Sequence, residues 1–172
     1  MPEAWLRGPV PNVEPMLMPA AHALLQASDE LWAAARGLSV RELWSSPGGG
    51  AASAGFHLRH IAGSIDRLLT YARGESLDER QHAALAAERE PGEPPADAES
   101  LLRDAQRAID AALETIRATP ASMLLEARAV GRQRLPSTVL GLLAHIGEHT
   151  LRHAGQVVTT AKVVGGDDGN DR

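Results

Sequence analysis

The segment His145-Ile146-Gly147-Glu148-His149-Thr150-Leu151-Arg152-His153-Ala154-Gly155-Gln156 carries three of the chain's seven histidines, each four residues from the next. On an α-helix a four-residue step overshoots a full turn by about 40°, so the three rings stack along one side. Two imidazoles one turn apart can converge on a single metal ion. Imidazole suits zinc, nickel, copper or iron. A second pair, His57 and His60, stands far upstream. If the two segments are helices that face each other, they form a three-histidine metal site inside a bundle.

Each histidine can be weighed by the side of the helix it occupies. Leu143, Ile146, Val157, Ala161 and Val164 define the apolar side of the C-terminal segment. A helical wheel puts His153 about 40°, His149 about 80° and His145 about 120° from the centre of that side. His149 and His153 are therefore the inward pair, and His145, nearer solvent, is either a bystander or a group that supports a ligand from behind. Upstream, Ile61, Ile65, Leu68 and Ala72 define the apolar side. There His57 lies about 60° from its centre and His60 about 120°, so periodicity favours His57 as the inward ring. Ser64, Arg67 and Tyr71 follow His60 in a polar stripe that either lines a pocket beside a metal or forms a solvated edge. His22 and His82 are isolated and read as surface or boundary residues. The zinc-protease pattern needs a glutamate directly after the first of two histidines, where it acts as general base. Thr150 holds that place here, which disfavours proteolysis. Arg67, Tyr71 and Glu148 are candidate acid–base groups only through closeness to a candidate ligand.

These side chains must be positioned by helices. Pro9, Pro11, Pro15 and Pro19 punctuate an extended lead-in. A first helix starts between Pro15 and Pro19 and ends at Gly37, a helix-stopping residue. Ser39 and Glu42 form a capping box for one turn over 40–44, and Pro47-Gly48-Gly49-Gly50 breaks the chain. A second helix runs from Ala52 to Ala72 and closes at Gly74; a short one lies within 78–90. After the Glu90–Pro95 loop, Asp97 or Ser100 caps a third helix. Its apolar residues Leu101, Leu102, Ala105, Ile109, Ala112, Leu113 and Ile116 recur at helical spacing. Pro120 ends it. Residues 121–135 are less regular, with a strand-like stretch over 124–130. Pro136 and Ser137 open a fourth helix that reaches Val164. Residues 1–164 thus read as one domain, and the polar, glycine-rich tail 165–172 reads as disordered.

Composition agrees and excludes. The chain has 172 residues, long enough to bury a core, and is 44% apolar but only 3% aromatic. A core of Leu, Ala, Val and Ile with few strand-favouring side chains indicates an all-α fold, and four long amphipathic helices indicate a four-helix bundle. The formal net charge is −5 and no basic run exists, which speaks against nucleic-acid binding. Without cysteine there is no disulfide, thiolate ligand or cysteine nucleophile. No apolar run nears the roughly 18 residues that cross a bilayer, and no signal peptide is apparent. A cytoplasmic location is expected.

The motifs Leu58-Arg59-His60-Ile61-Ala62-Gly63 and His149-Thr150-Leu151-Arg152-His153-Ala154-Gly155-Gln156, with the order of helices and loops between them, resemble the DinB family of metalloenzymes over residues 17–164. The resemblance implies a DinB/YfiT-like four-helix bundle of up-down-down-up topology with long interhelical loops. It also implies His60, His149 and His153 as metal ligands, which gives His57 no ligand role, against the periodicity. Three neutral imidazoles leave a coordination position open for water or substrate. An ion so held can lower the pKa of water or stabilise a thiolate. Similar proteins include S-transferases that use low-molecular-weight thiols, as well as hydrolases and isomerases. The expectation is a zinc- or nickel-dependent enzyme acting on a small molecule, active as a homodimer. The alternative is a non-catalytic metal-binding or stress-response bundle.

Overall fold

The computed structural model describes residues 1–166. Four long helices dominate: α1 (Met18–Ala35), α3 (Ala54–Ala72), α5 (Ala98–Ala118) and α6 (Val139–Gly166). Two short helices, α2 (Val40–Trp44) and α4 (Glu79–Ala86), lie in the connections. In section the long helices form a ring in which α1 touches α6 and α5, and α3 touches the same two. Sequence-adjacent α1 and α3 are thus not the main partners, and the connection between them crosses the end of the bundle. The inward rows repeat every third or fourth residue: Leu17, Ala21, Leu24 and Leu31; Leu58, Ile61 and Ile65; Leu102, Ile109 and Ile116; Leu143 and Ile146. With so few aromatics, small residues bring the backbones close. A Cβ on Gly147 would lie 2.8 Å from the Cα of Ala20, so α6 crosses α1 at a point that only glycine allows.

Local signals explain the helix starts. Ser39 and Glu42 form the capping box of α2. The Ser53 hydroxyl accepts from the backbone N–H of Phe56 and sets the phase of α3. Asp97, one of the two candidates, accepts from Ser100 N at 2.7 Å and caps α5. Asp78 and Gln81 form a second capping box at α4. The lead-in contains two 3-10 turns, Ala4–Arg7 and Pro15–Leu17, and packs against α1 through buried Ala4 and Val10. His22, read as isolated, ties that segment down, with Nε2 2.9 Å from the Gly8 carbonyl.

The start of the last helix differs from the sequence reading. Pro136 and Ser137 do not open it. Residues 127–130 form β1 (Ala127–Val130), and 135–138 form β2 (Leu135–Thr138), paired antiparallel with Pro136 opposite Ala129. A proline without an N–H is tolerated at the edge of a ribbon, so the signal that suggested a helix start serves equally at an edge strand. Thr138 then caps α6, its hydroxyl accepting from Gly141 N at 3.0 Å. At its other end α6 runs through Gly165 and Gly166, two residues past the expected stop; the rest of the expected tail lies outside the described residues. Among the described residues no helix is long and apolar enough to cross a membrane.

Candidate metal centre

The packing of α3 on α6 turns the histidine edges of both helices toward each other. His60, His149 and His153 each offer a ring nitrogen, and the three lie within 4.8 Å of one another. His60 Nε2 is 3.4 Å from His149 Nε2, and the ring of His153 is 4.5 Å, centre to centre, from each of the other two. Zinc–imidazole bonds of about 2.05 Å at a tetrahedral angle place two nitrogens about 3.3 Å apart, so the separation suits a shared divalent ion. All three rings are half-buried and can be reached from solvent.

Metal binding requires unprotonated imidazole, and the surroundings supply it. Burial, then the charges of His60, His145 and Arg152, lowers the pKa of His149 to about 4. Burial, then His60 and His149, lowers that of His153 to about 3. Both rings are neutral at pH 7 with lone pairs to donate.

His57 is more deeply buried than His60, as periodicity indicated, yet it does not join the group of three. It stands behind His153, Nδ1 to Nδ1 at 2.9 Å, and burial followed by the charges of His60 and Arg89 lowers its pKa to about 4. Both expectations about this helix therefore have a place. His57 is the inward ring of α3, and His60 is the ring that meets the α6 pair. His145 faces outward, its side chain 44% exposed and paired with Glu148 at 3.1 Å. Glu148, the exposed acid–base candidate, also pairs with Arg152.

Residues 23–157 match the sequence profile of the DinB superfamily. The chain belongs to that superfamily. A solved structure similar to this DinB-superfamily chain is that of YfiT from Bacillus subtilis, described as a probable metal-dependent hydrolase with an unusual four-helix bundle topology. The two share 14% identity and a TM-score of 0.66, with 92% of this chain and 93% of that one covered. At that identity the likeness establishes the fold. No curated protein sequence matches the chain.

The DinB bundle also holds a group that sequence reasoning missed. Glu88, just past α4, is 5% exposed; its Oε2 is 2.7 Å from His60 Nδ1 and its Oε1 2.8 Å from Arg67 Nη1. Burial pushes its pKa up, but hydrogen bonds from His60 and Arg67 and the Arg67 charge together hold it below the usual carboxylate range. Ser64 and Arg67, read as either pocket lining or solvated edge, are both buried: Ser64 bonds back to the Ile61 carbonyl and Arg67 holds Glu88. Tyr71 packs at the core margin far along α3 from His60. Arg59 explains how the loop delivers Glu88: its guanidinium donates to the carbonyls of Ala87, Glu90 and Pro91 and stacks 4.9 Å over the Trp44 ring. The chain's one phenylalanine, Phe56, stacks on His60 with centroids 5.4 Å apart, and the Arg89 guanidinium lies over the Phe56 ring at 4.7 Å. Nothing in the sequence singled out Phe56 or Glu88: Glu88 belongs to the polar stretch expected to hold a short helix within 78–90, with no periodic mark to set it apart, and the structure puts it in the turn after α4.

Proposed function

We propose that this protein is a metal-dependent enzyme acting on a small molecule, with a divalent ion, zinc or nickel, held by His60, His149 and His153. The observation that supports this reading is the convergence of three imidazole nitrogens, from two separate helices, within 4.8 Å. When bound by three neutral histidines, such an ion keeps an open position and supplies Lewis-acid activation of a water or a thiol. The chain's own contribution is to keep His149 and His153 unprotonated and to shield one face of His60 with Phe56. Transfer of a low-molecular-weight thiol is the finer reading, taken from the resemblance to DinB-type S-transferases; with no cysteine in the sequence, the thiol would arrive as substrate. Hydrolysis by activated water is the second reading, favoured by the likeness to YfiT and its description.

Elemental analysis of untagged protein tests the site. About one zinc or nickel per chain is expected in the purified protein, and His153→Ala is expected to lose it. Unchanged metal content in that variant contradicts the ligand assignment. Incubation of the loaded protein with a small thiol and an electrophilic acceptor separates thiol transfer from hydrolysis: consumption of the thiol supports the first, and consumption of an ester or amide without thiol supports the second.

A further inference from the structure

We propose that Glu88, held by Arg67, is a positioning residue that fixes His60 with its proton on Nδ1 and its Nε2 lone pair turned toward His149 and His153. The proposal deepens the reading of the three histidines as a metal site and rests on it.

A carboxylate only accepts hydrogen bonds, so a 2.7 Å contact with His60 Nδ1 requires the proton to sit on that nitrogen. In the neutral ring the lone pair is then on Nε2, which points to His149 Nε2 at 3.4 Å. The second carboxylate oxygen is taken by Arg67 at 2.8 Å, which stops the carboxylate from rotating away. Both members of the pair are nearly sealed from water, Glu88 at 5% and Arg67 at 8% exposure, so solvent screens the contact little. Arg59 holds the carbonyls on either side of Glu88 and fixes the backbone that carries it. Phe56 lies flat against the His60 ring and resists its rotation.

Gly63 belongs to the same device. It has ordinary helical geometry, so backbone freedom does not explain it. A Cβ there would lie 2.8 Å from Arg67 Nη1 and 2.8 Å from Glu88 Oε1. Glycine leaves the space in which the two side chains meet. A lone structural ion pair would need Arg67 and Glu88 only. The use of the remaining oxygen on a histidine that faces two others marks the pair as directed at His60. Carboxylates or carbonyls behind metal-binding histidines act in this way, setting the tautomer and raising ligand basicity.

The test uses full-length, metal-free protein with ¹⁵N-labelled histidine at neutral pH, followed by a zinc titration against a competing chelator. In the wild type the His60 signals should report the Nδ1–H tautomer. Glu88→Gln, which offers one acceptor oxygen where Arg67 and His60 need two, and Glu88→Ala, which offers none, should both release it toward a mixture. Zinc affinity should fall about 10–100-fold in Glu88→Ala. If Glu88→Ala fails to fold, Glu88→Gln replaces it, because it keeps the shape and removes one of the two acceptors. The same tautomer release is expected there. An unchanged His60 tautomer in Glu88→Ala or Glu88→Gln overturns the proposal, as does unchanged zinc affinity in Glu88→Ala where the wild type binds zinc. A wild type that binds no zinc but shows the predicted tautomer change defeats the metal reading and leaves the Glu88 assignment standing.

Discussion

The two walls of the centre are built by different means. On the α3 wall, His60 is held by side chains from distant parts of the sequence: the Glu88 carboxylate behind it, Arg67 behind Glu88, and Phe56 across its face. On the α6 wall, His149 and His153 are aligned by the helix itself, seated by the close crossing of Gly147 on Ala20, with His57 of α3 behind His153 alone. The far nitrogens show the contrast. That of His60 meets a carboxylate, Nδ1 of His153 meets another imidazole, and Nδ1 of His149 is buried with no hydrogen-bond partner among the described residues. A repeat of four along a helix aligns two rings without outside help, whereas a single ring on the opposite helix has no such neighbour and must be oriented from behind. The α6 wall therefore supplies reach, and the α3 wall supplies a fixed tautomer.

That contrast can be broken from either side. Removing a ring of the α6 pair should have the largest effect: His149→Ala or His153→Ala should abolish stoichiometric metal, read by elemental analysis, while circular dichroism shows the helices intact. Weakening the support of the α3 wall through Glu88→Ala should cost about 10–100-fold in zinc affinity without removing binding. His57→Ala sharpens the assignment further. If His57 only supports His153 through the 2.9 Å Nδ1 contact, the loss should stay within about 100-fold and binding should persist. Complete loss of metal in that variant would instead make His57 a ligand. His145→Ala, on the outward side of α6, should leave metal content and affinity unchanged.

A pH series on metal-free protein probes the burial of the rings. The pKa values of His57 and His149 lie at about 4 and that of His153 at about 3 in the fold, against about 6.5 in an unfolded chain. Above pH 6.5 both states leave these groups neutral and they add no pH dependence. Below it the unfolded chain takes up protons that the fold refuses, so stability should drop as the pH falls from about 6.5 toward 4. Urea unfolding at pH 7.5 and pH 5 measures this. A midpoint unchanged between the two would show that the rings are not held as buried neutral groups.

Much of the architecture was legible because it rests on local chemistry. The row from Leu101 to Ile116 is buried as its spacing requires, and the Ser39–Glu42 box and the Asp97 cap stand where the sequence marks them. The His149–His153 pair was legible for the same reason, since one helix carries both rings. Pro136 was misread because a missing N–H fits a helix start and an edge strand alike, and only the partner strand decides between them. On α3 the hydrophobic side correctly marked His57 as the deeper ring. Both rings reach α6, but the deeper one meets His153 alone, and the half-buried His60 is the one that stands with both His149 and His153. Glu88 was illegible because its role depends on a loop held by Arg59, a contact between residues far apart in sequence that no periodicity records.

Anomalous scattering from crystals of untagged protein, collected on either side of the zinc and nickel absorption edges, locates the ion and its ligands together. One strong peak is expected about 2.0–2.1 Å from a ring nitrogen of each of His60, His149 and His153. A peak that leaves out His60, or crystals grown with added zinc and nickel that show no peak between α3 and α6, would contradict the three-histidine site.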